Sequence, residues 1–290
     1  MKFFLPVIAF LIAFIPSRAQ HERRLLLKAY QSASPKTLEA FFNKWARETA
    51  PLSTAQIARL NDTARNAYLV FRAFYDPFQT GKVGAAWNDH LYDKSKYLVL
   101  QDRICIAFVD TLDKEMLIQK EFGRLSKKLN ITPDSVAKAY HNDQRNVMRS
   151  YRFQWPEPTQ FDTILHFRPQ VSFHSPKTVV LTDEYDLLLS NFLGNDNYVL
   201  NTGVIVISDS AKKDGQKREN FLGTEIKVWY RTRTGHWQFL SVPYTASILF
   251  DNTFDNALVN YTLYGEGGYA YFKKIHGAWS LIEADRTWVE

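Results

Sequence analysis

The chain has 290 residues, of which 46% are hydrophobic, 15% aromatic and 23% charged. That length and apolar content suit one large or two ordinary globular domains and exclude a disordered tail, and only 12 glycines and 11 prolines exclude collagen-like and low-complexity classes. The formal charge of +6 is spread out: the densest basic group, Lys212, Lys213, Lys217 and Arg218, is interrupted by Asp209, Asp214 and Glu219, so no nucleic-acid partner is expected.

Residues 1–19 read as a secretory signal peptide. Lys2 supplies a basic start, Phe3 to Ile15 an apolar run, and Ser17-Arg18-Ala19 a small-residue cleavage pattern before Gln20. The run falls short of the roughly 20 apolar residues that cross a bilayer. The expected mature chain is therefore soluble, without a transmembrane segment, and periplasmic or extracellular. Loss of Lys2 and Arg18 lowers the formal charge to +4. The single cysteine, Cys105, forms no intramolecular disulfide, so stability must come from packing. Its setting, Ile104-Cys105-Ile106-Ala107-Phe108-Val109, predicts a small buried hydrophobe.

In chain order, Ser34 is placed to cap a helix with Pro35 at its first position, and Leu38, Phe41, Phe42 and Trp45 fall on one face. Ser53 with Gln56 forms a capping box ahead of a stripe from Ile57 through Leu60, Ala64, Ala67, Tyr68 and Phe71 to Tyr75. Lys96 to Val109 predicts two short strands broken at Gln101-Asp102, and 110–150 reads as polar and helical. Trp155-Pro156-Glu157-Pro158 marks the expected boundary between a helical or mixed region, 20–156, and an α+β region, 157–290. Thr163 to Phe173 and Lys177 to Leu181 read as strands, and Thr182 caps a helix that Gly194 ends. Glu225 to Tyr230 reads as a further strand, followed by four alternating runs, Tyr244 to Asp251, Ala257 to Tyr264, Gly268 to Ile275 and Ala278 to Val289, which predict an antiparallel meander. The fold class is α+β, an N-terminal helical or mixed region followed by a C-terminal antiparallel sheet packed by helices.

Strong motifs are absent. There is no HExxH, CxxC, G-x-S-x-G or G-x-G-x-x-G, and Thr80-Gly81-Lys82-Val83 lacks the flanking residues of a phosphate loop. The seven histidines show no ligand spacing on one element, although His166 and His174 flank a strand-like stretch. Asn195-Asp196-Asn197 and Asp251-Asn252 with Asp255-Asn256 match turns better than a calcium loop. Neither cofactor nor metal is expected.

Turn lengths set an expected register for the meander. A two-residue turn at His276-Gly277 pairs Ile275 with Ala278, and a three-residue turn at Gly265-Glu266-Gly267 pairs Tyr264 with Gly268. One face then carries Val259, Tyr261, Leu263, Tyr269, Tyr271, Ile282, Ala284 and Trp288 as core. The other carries Thr245, Ser247, Asn260, Thr262, Tyr264, Glu283 and Asp285, with Phe272, Leu281 and Trp279 grouped toward one end. Glu283 is expected opposite Ala270 and Thr262, and Asp285 opposite Gly268 and Tyr264. A ligand site is therefore expected at Tyr264, Thr262, Asn260, Trp279, Glu283 and Asp285, with Glu283, Asp285 and Tyr264 as the candidates for any acid–base chemistry.

The cadence of the C-terminal third, Gly267-Gly268-Tyr269-Ala270-Tyr271-Phe272-Lys273-Lys274 then Gly277-Ala278-Trp279-Ser280-Leu281-Ile282 after a helix, resembles the nuclear-transport-factor-2-like superfamily of cone-shaped α+β proteins. That resemblance implies a pocket on the concave sheet face, used by isomerases, hydrolases and many non-enzymatic binding modules. The signal ending in Ala19-Gln20 and the single cysteine also look like exported proteins of Bacteroides-type bacteria. Three functions are expected in order: a non-catalytic module binding a small molecule, sugar or peptide; a hydrolase or isomerase using a sheet-face carboxylate; and a structural or assembly component of the cell envelope.

Overall fold

The computed structural model describes residues 21–84, 89–142, 155–171, 173, 175–194, 199–201, 204–206, 209–231 and 236–289. The expected signal peptide, His174 and Asn195-Asp196-Asn197 lie outside them. The chain divides into two units interleaved along the sequence, one from Met1–Asn61, Tyr75–Arg103 and Leu165–Tyr244, the other from Asp62–Phe74, Ile104–Ile164 and Thr245–Glu290. The Trp155–Pro158 segment thus lies inside the second unit.

In the first unit, helix α1 covers 21–31 and α2 covers Pro35–Glu48. Ser34 caps α2 by accepting from the Thr37 N–H, and Leu38, Phe41, Phe42 and Trp45 are buried along its inner face as the periodicity predicts. Strands β1 (Tyr97–Gln101) and β4 (Lys177–Leu181) pair in parallel beside it. Trp45 ties helix to strand, its indole N–H donating to the Val180 carbonyl at 2.8 Å. Thr49 Oγ1 donates to the Trp45 carbonyl at 2.9 Å and accepts from the Val180 N–H at 3.1 Å. Helix α7 (Asp183–Leu193), capped by Thr182 and ended by Gly194 at φ +91°, stacks Tyr185 on Trp45 with ring centroids 4.5 Å apart. Helix α8 (Asp209–Leu222), short pairs β5 (Val199–Asn201) with β6 (Val204–Val206), and β7 (Trp229–Arg231) with β8 (His236–Gln238), complete this unit. Burying each large aromatic of this core stabilises it by about 1.5–3 kcal/mol relative to exposure.

The stripe after Ser53 forms two helices rather than one. The capping box is present, but α3 stops at Thr54–Ala58 and α4 restarts at Asp62–Phe74 in the second unit. The apolar spacing runs through the break, although Ile57 belongs to the first unit and the α4 stripe to the second.

The second unit is built on a six-stranded sheet in the order β12-β11-β10-β9-β2-β3. Here β9 (Tyr244–Asp251), β10 (Asn256–Thr262), β11 (Glu266–Ile275) and β12 (Ala278–Val289) form the expected meander. Strand β2 (Arg103–Val109) joins β9 in parallel, and β3 (Gln160–Leu165) forms the far edge. The break at Gln101-Asp102 is real, yet it divides strands of two different sheets instead of turning a hairpin. Helix α4 covers one face: Phe74 packs on Tyr261 and Phe272, with Phe250 and Trp279 buried nearby. Helices α5 (Lys114–Leu129) and α6 (Pro133–Asn142) form a hairpin around Phe122, Leu125 and Val136. Among the described residues no helix is long and apolar enough to cross a membrane.

Candidate ligand-binding face of the sheet

The hairpin at His276-Gly277 forms as expected, with φ of +51° and +80° in a two-residue turn and Ile275 opposite Ala278. The turn before it is tighter than expected. Leu263 N–H donates to the Glu266 carbonyl at 2.6 Å, which leaves Tyr264-Gly265 as the turn and places Tyr261, not Tyr264, opposite Gly268. Gly265 at φ +75° makes that turn accessible. The register shift separates the two tyrosines assigned to one core face: Tyr261 lies with Ala270 and Phe272, while Tyr271 lies with Leu258 on the opposite face. Both are buried, at 2% and 1% exposure.

A second departure lies in β12. Tyr271 pairs with Glu283 and Phe272 with Leu281, so Ile282 is the extra residue of a β-bulge and stands 47% exposed instead of in the core. The bulge moves Glu283 opposite Tyr271 rather than Ala270, and Asp285 opposite Tyr269 rather than Gly268. The small neighbours expected beside the acids sit on the other face.

The face so defined has an open row and a covered row. Cys105 pairs with Ser247, Asn260 with Tyr269, and Tyr269 with Asp285, and Asn260 Nδ2 donates to Ser247 Oγ at 3.0 Å, completing one row across five strands. Cys105, Asn260 and Asp285 are exposed, Ser247 and Tyr269 half-buried. Cys105 is therefore not the buried hydrophobe its neighbours suggested: alternation turns Ile104 and Ile106 inward and the thiol outward. In the next row, Ala107, Leu249, Leu258 and Tyr271 are buried, with Leu112 and Trp155 packed on them. The Trp155 ring lies 5.2 Å from Tyr271 and 5.6 Å, edge to face, from Tyr269. It marks the border between covered and open rows.

The N-terminus of α5 closes the covered side. Asp113 caps the helix through the Met116 N–H at 2.9 Å, and that bond first, with Lys273 nearby, holds its carboxyl below the usual range. Lys273 Nζ lies 2.7 Å from Glu115 and 3.4 Å from Asp113. Lys114 Nζ pairs with Glu283 Oε2, and among the described residues the buried Oε1 of Glu283 meets no donor. Tyr271 donates to Asn256 Oδ1 at 2.6 Å, and Asn256 Nδ2 donates to Asp251 Oδ2 at 2.6 Å. Burial pushes the Tyr271 phenol up to about 12.

Of the six expected ligand residues, Asn260, Asp285, Glu283 and Thr262 share this face, although Glu283 is held by Lys114 beneath the open row. Tyr264 belongs to the turn. Trp279 faces the other side, donating to Asn66 Oδ1 of α4 at 3.3 Å with Lys274 Nζ 4.8 Å over its ring. Trp155 and Lys114 were missed: the first read only as a boundary signal, and the second sat in a generically helical stretch, where its position just after the Asp113 cap was the available clue. Among the described residues no group of three His, Cys, Asp or Glu stands together as a metal site. No protein-family model, no curated protein and no solved structure matches the chain. The chain is an α+β protein carrying a mixed sheet with one polar row open to solvent.

Proposed function

We propose that the chain is an exported, non-catalytic binding protein whose ligand lies along the open row, and that this ligand is neutral and rich in hydroxyl groups, such as a short oligosaccharide. The observation carrying the reading is the alignment of Ser247, Asn260, Tyr269 and Asp285 in one row, with Trp155 standing at its border. A carboxylate, an amide and a hydroxyl provide donors and acceptors at strand spacing, and the half-buried Tyr269 ring offers an apolar edge to a sugar ring. Asp285 leaves the row negative, since the Lys114 charge is taken by Glu283, and this disfavours anionic ligands. The pattern of residues 1–19 supports export, and the resemblance to the nuclear-transport-factor-2-like proteins supports use of a sheet face as the binding surface. Catalysis by Glu283 with Tyr264 as donor is not favoured, because the two are not brought together.

The test is a thermal-shift screen of the chain from Gln20 onward against neutral mono- and oligosaccharides, followed by titration of any hit. Asn260→Ala and Asp285→Asn, both at exposed sites, are each expected to weaken the hit about 10-fold, roughly 1.4 kcal/mol, and Tyr264→Phe to leave it unchanged. A hit indifferent to both row substitutions, or no hit across the neutral panel, overturns the reading.

A further inference from the structure

Among the described residues, the open row is one side chain wide. On β9 the neighbours of Ser247 on the same face, Thr245 and Leu249, are both buried, and on β11 so are Gly267 and Tyr271 on either side of Tyr269. On β10, Leu258 closes one side of Asn260 and the half-buried Thr262 the other. Access along each of these strands therefore lasts for a single position, whereas across the strands it continues from Cys105 on β2 to Asp285 on β12. The surface left to a ligand is a slot perpendicular to the strands. Neighbouring strands lie about 4.8 Å apart, so the four intervals from β2 to β12 span about 19 Å.

Resting on the reading of this row as a saccharide site, we infer that the slot holds an extended neutral glycan of about four units joined by equatorial linkages, lying across the strands with one unit per strand interval. A pyranose linked through equatorial oxygens advances a chain by nearly one strand interval, so each added unit meets the side chain of the next strand. An extended peptide advances only about 3.3 Å per residue and falls out of step with the strands. Axial linkages coil a glycan and lift its units off a slot this narrow. Adjacent strands also rotate by about 20–25°, so the slot turns along its length and takes a single chain free to twist, not the flat face of a crystalline fibre. The bond from Asn260 Nδ2 to Ser247 Oγ leaves the Ser247 hydroxyl proton and the Asn260 side-chain carbonyl as one donor and one acceptor for the middle units. Tyr269, edge to face with Trp155, supplies the apolar contact for the next unit, and Asp285 supplies acceptors at the β12 end.

The experiment is calorimetric titration of the chain from Gln20 onward with equatorially linked gluco-, manno- and xylo-oligosaccharides of increasing length, with maltotetraose as the axially linked comparison. Affinity should rise at least about 10-fold from the disaccharide to the tetramer and then level off, and maltotetraose should bind at least about 10-fold more weakly than the best tetramer. Alkylating the exposed Cys105 with N-ethylmaleimide fills the β2 end of the slot, and should lower the tetramer to the affinity of the trimer while leaving the disaccharide unchanged. No binding by any member of the series overturns the saccharide reading together with this inference. Other results leave the saccharide reading standing and overturn the extended ligand alone: a mono- or disaccharide bound as tightly as the tetramer, affinity still climbing well beyond the tetramer, maltotetraose preferred, or tetramer binding untouched by alkylation.

Discussion

Replacing Tyr271 by Phe removes one oxygen from the closed side of the sheet face and leaves the ring in place. The phenol donates to Asn256 Oδ1 at 2.6 Å and accepts weakly from the Lys114 N–H at 3.4 Å. Asn256 is only 6% exposed, so its Oδ1 would lose a donor that water cannot readily replace. Leaving such a buried acceptor unsatisfied costs about 1–3 kcal/mol, offset in part because the phenol no longer has to be desolvated. The ring keeps its contact with Trp155, so no cavity penalty adds. We expect a net loss of about 1.5 kcal/mol, read as a urea midpoint lowered by about 0.7 M for a slope near 2 kcal/mol/M. Asn256→Leu and the double variant complete a cycle, and a coupling energy of about 1 kcal/mol between the two sites is expected. Loss under about 0.3 kcal/mol with no coupling would refute the claim that this network closes the covered row.

Three further outcomes are expected. Gly268→Ala should destabilise the second unit by about 3 kcal/mol or more, because a Cβ there would run into the Asp285 carbonyl oxygen and lie 2.8 Å from Tyr261 Oη; a melting temperature within a degree of the parent would contradict the close approach. Asp113 has a lowered folded pKa, so its contribution is present above its unfolded value of about 3.9 and is lost as pH falls through the folded value; Asp113→Asn, which still caps, should flatten the loss of stability below about pH 4, and an unchanged acid limb of the urea midpoint against pH would contradict it. Tyr261 and Tyr271 are pushed up to about 12 by burial first, so their neutral forms stabilise the fold fully below about pH 10 and lose that contribution as pH rises through about 12. In an ultraviolet phenolate titration, Tyr271→Phe should remove one equivalent from the late phase and none from the phase near 10, and the reverse pattern would refute it.

Local signals in the sequence located most elements. Ser34, the Ser53/Gln56 box, Thr182 with Gly194, and the His276-Gly277 turn all act where capping and turn chemistry place them. What escaped was non-local. Nothing near Gln101-Asp102 reveals that β1 pairs with β4 while β2 pairs with β9. Alternation alone gave each strand two faces, but matching faces between strands depends on turn length and bulges, and each one-residue change inverts the assignment. The Tyr264-Gly265 turn and the Ile282 bulge are such changes, and together they exchanged the neighbours of both acids. Asn260, Thr262, Glu283 and Asp285 were still found on a common face, because the two inversions cancel between β10 and the part of β12 beyond the bulge. Trp279 failed because the bulge at Ile282 separates it from Glu283 and Asp285, with which plain alternation along β12 had grouped it, while its own pairing with Lys274 is the expected one.

The open row and the covered row differ by two residues along β2, and chemistry can read that difference directly. Cys105 is exposed while Ala107 is 4% exposed on the same face. Thiol-reagent kinetics on the folded chain should show Cys105 reacting nearly as fast as in the unfolded state, and Ala107→Cys in a Cys105→Ser background reacting at least about 100-fold more slowly, as a locally protected site would. Slow modification of Cys105, or equal rates at 105 and 107, would mean that the polar row is not open to a ligand.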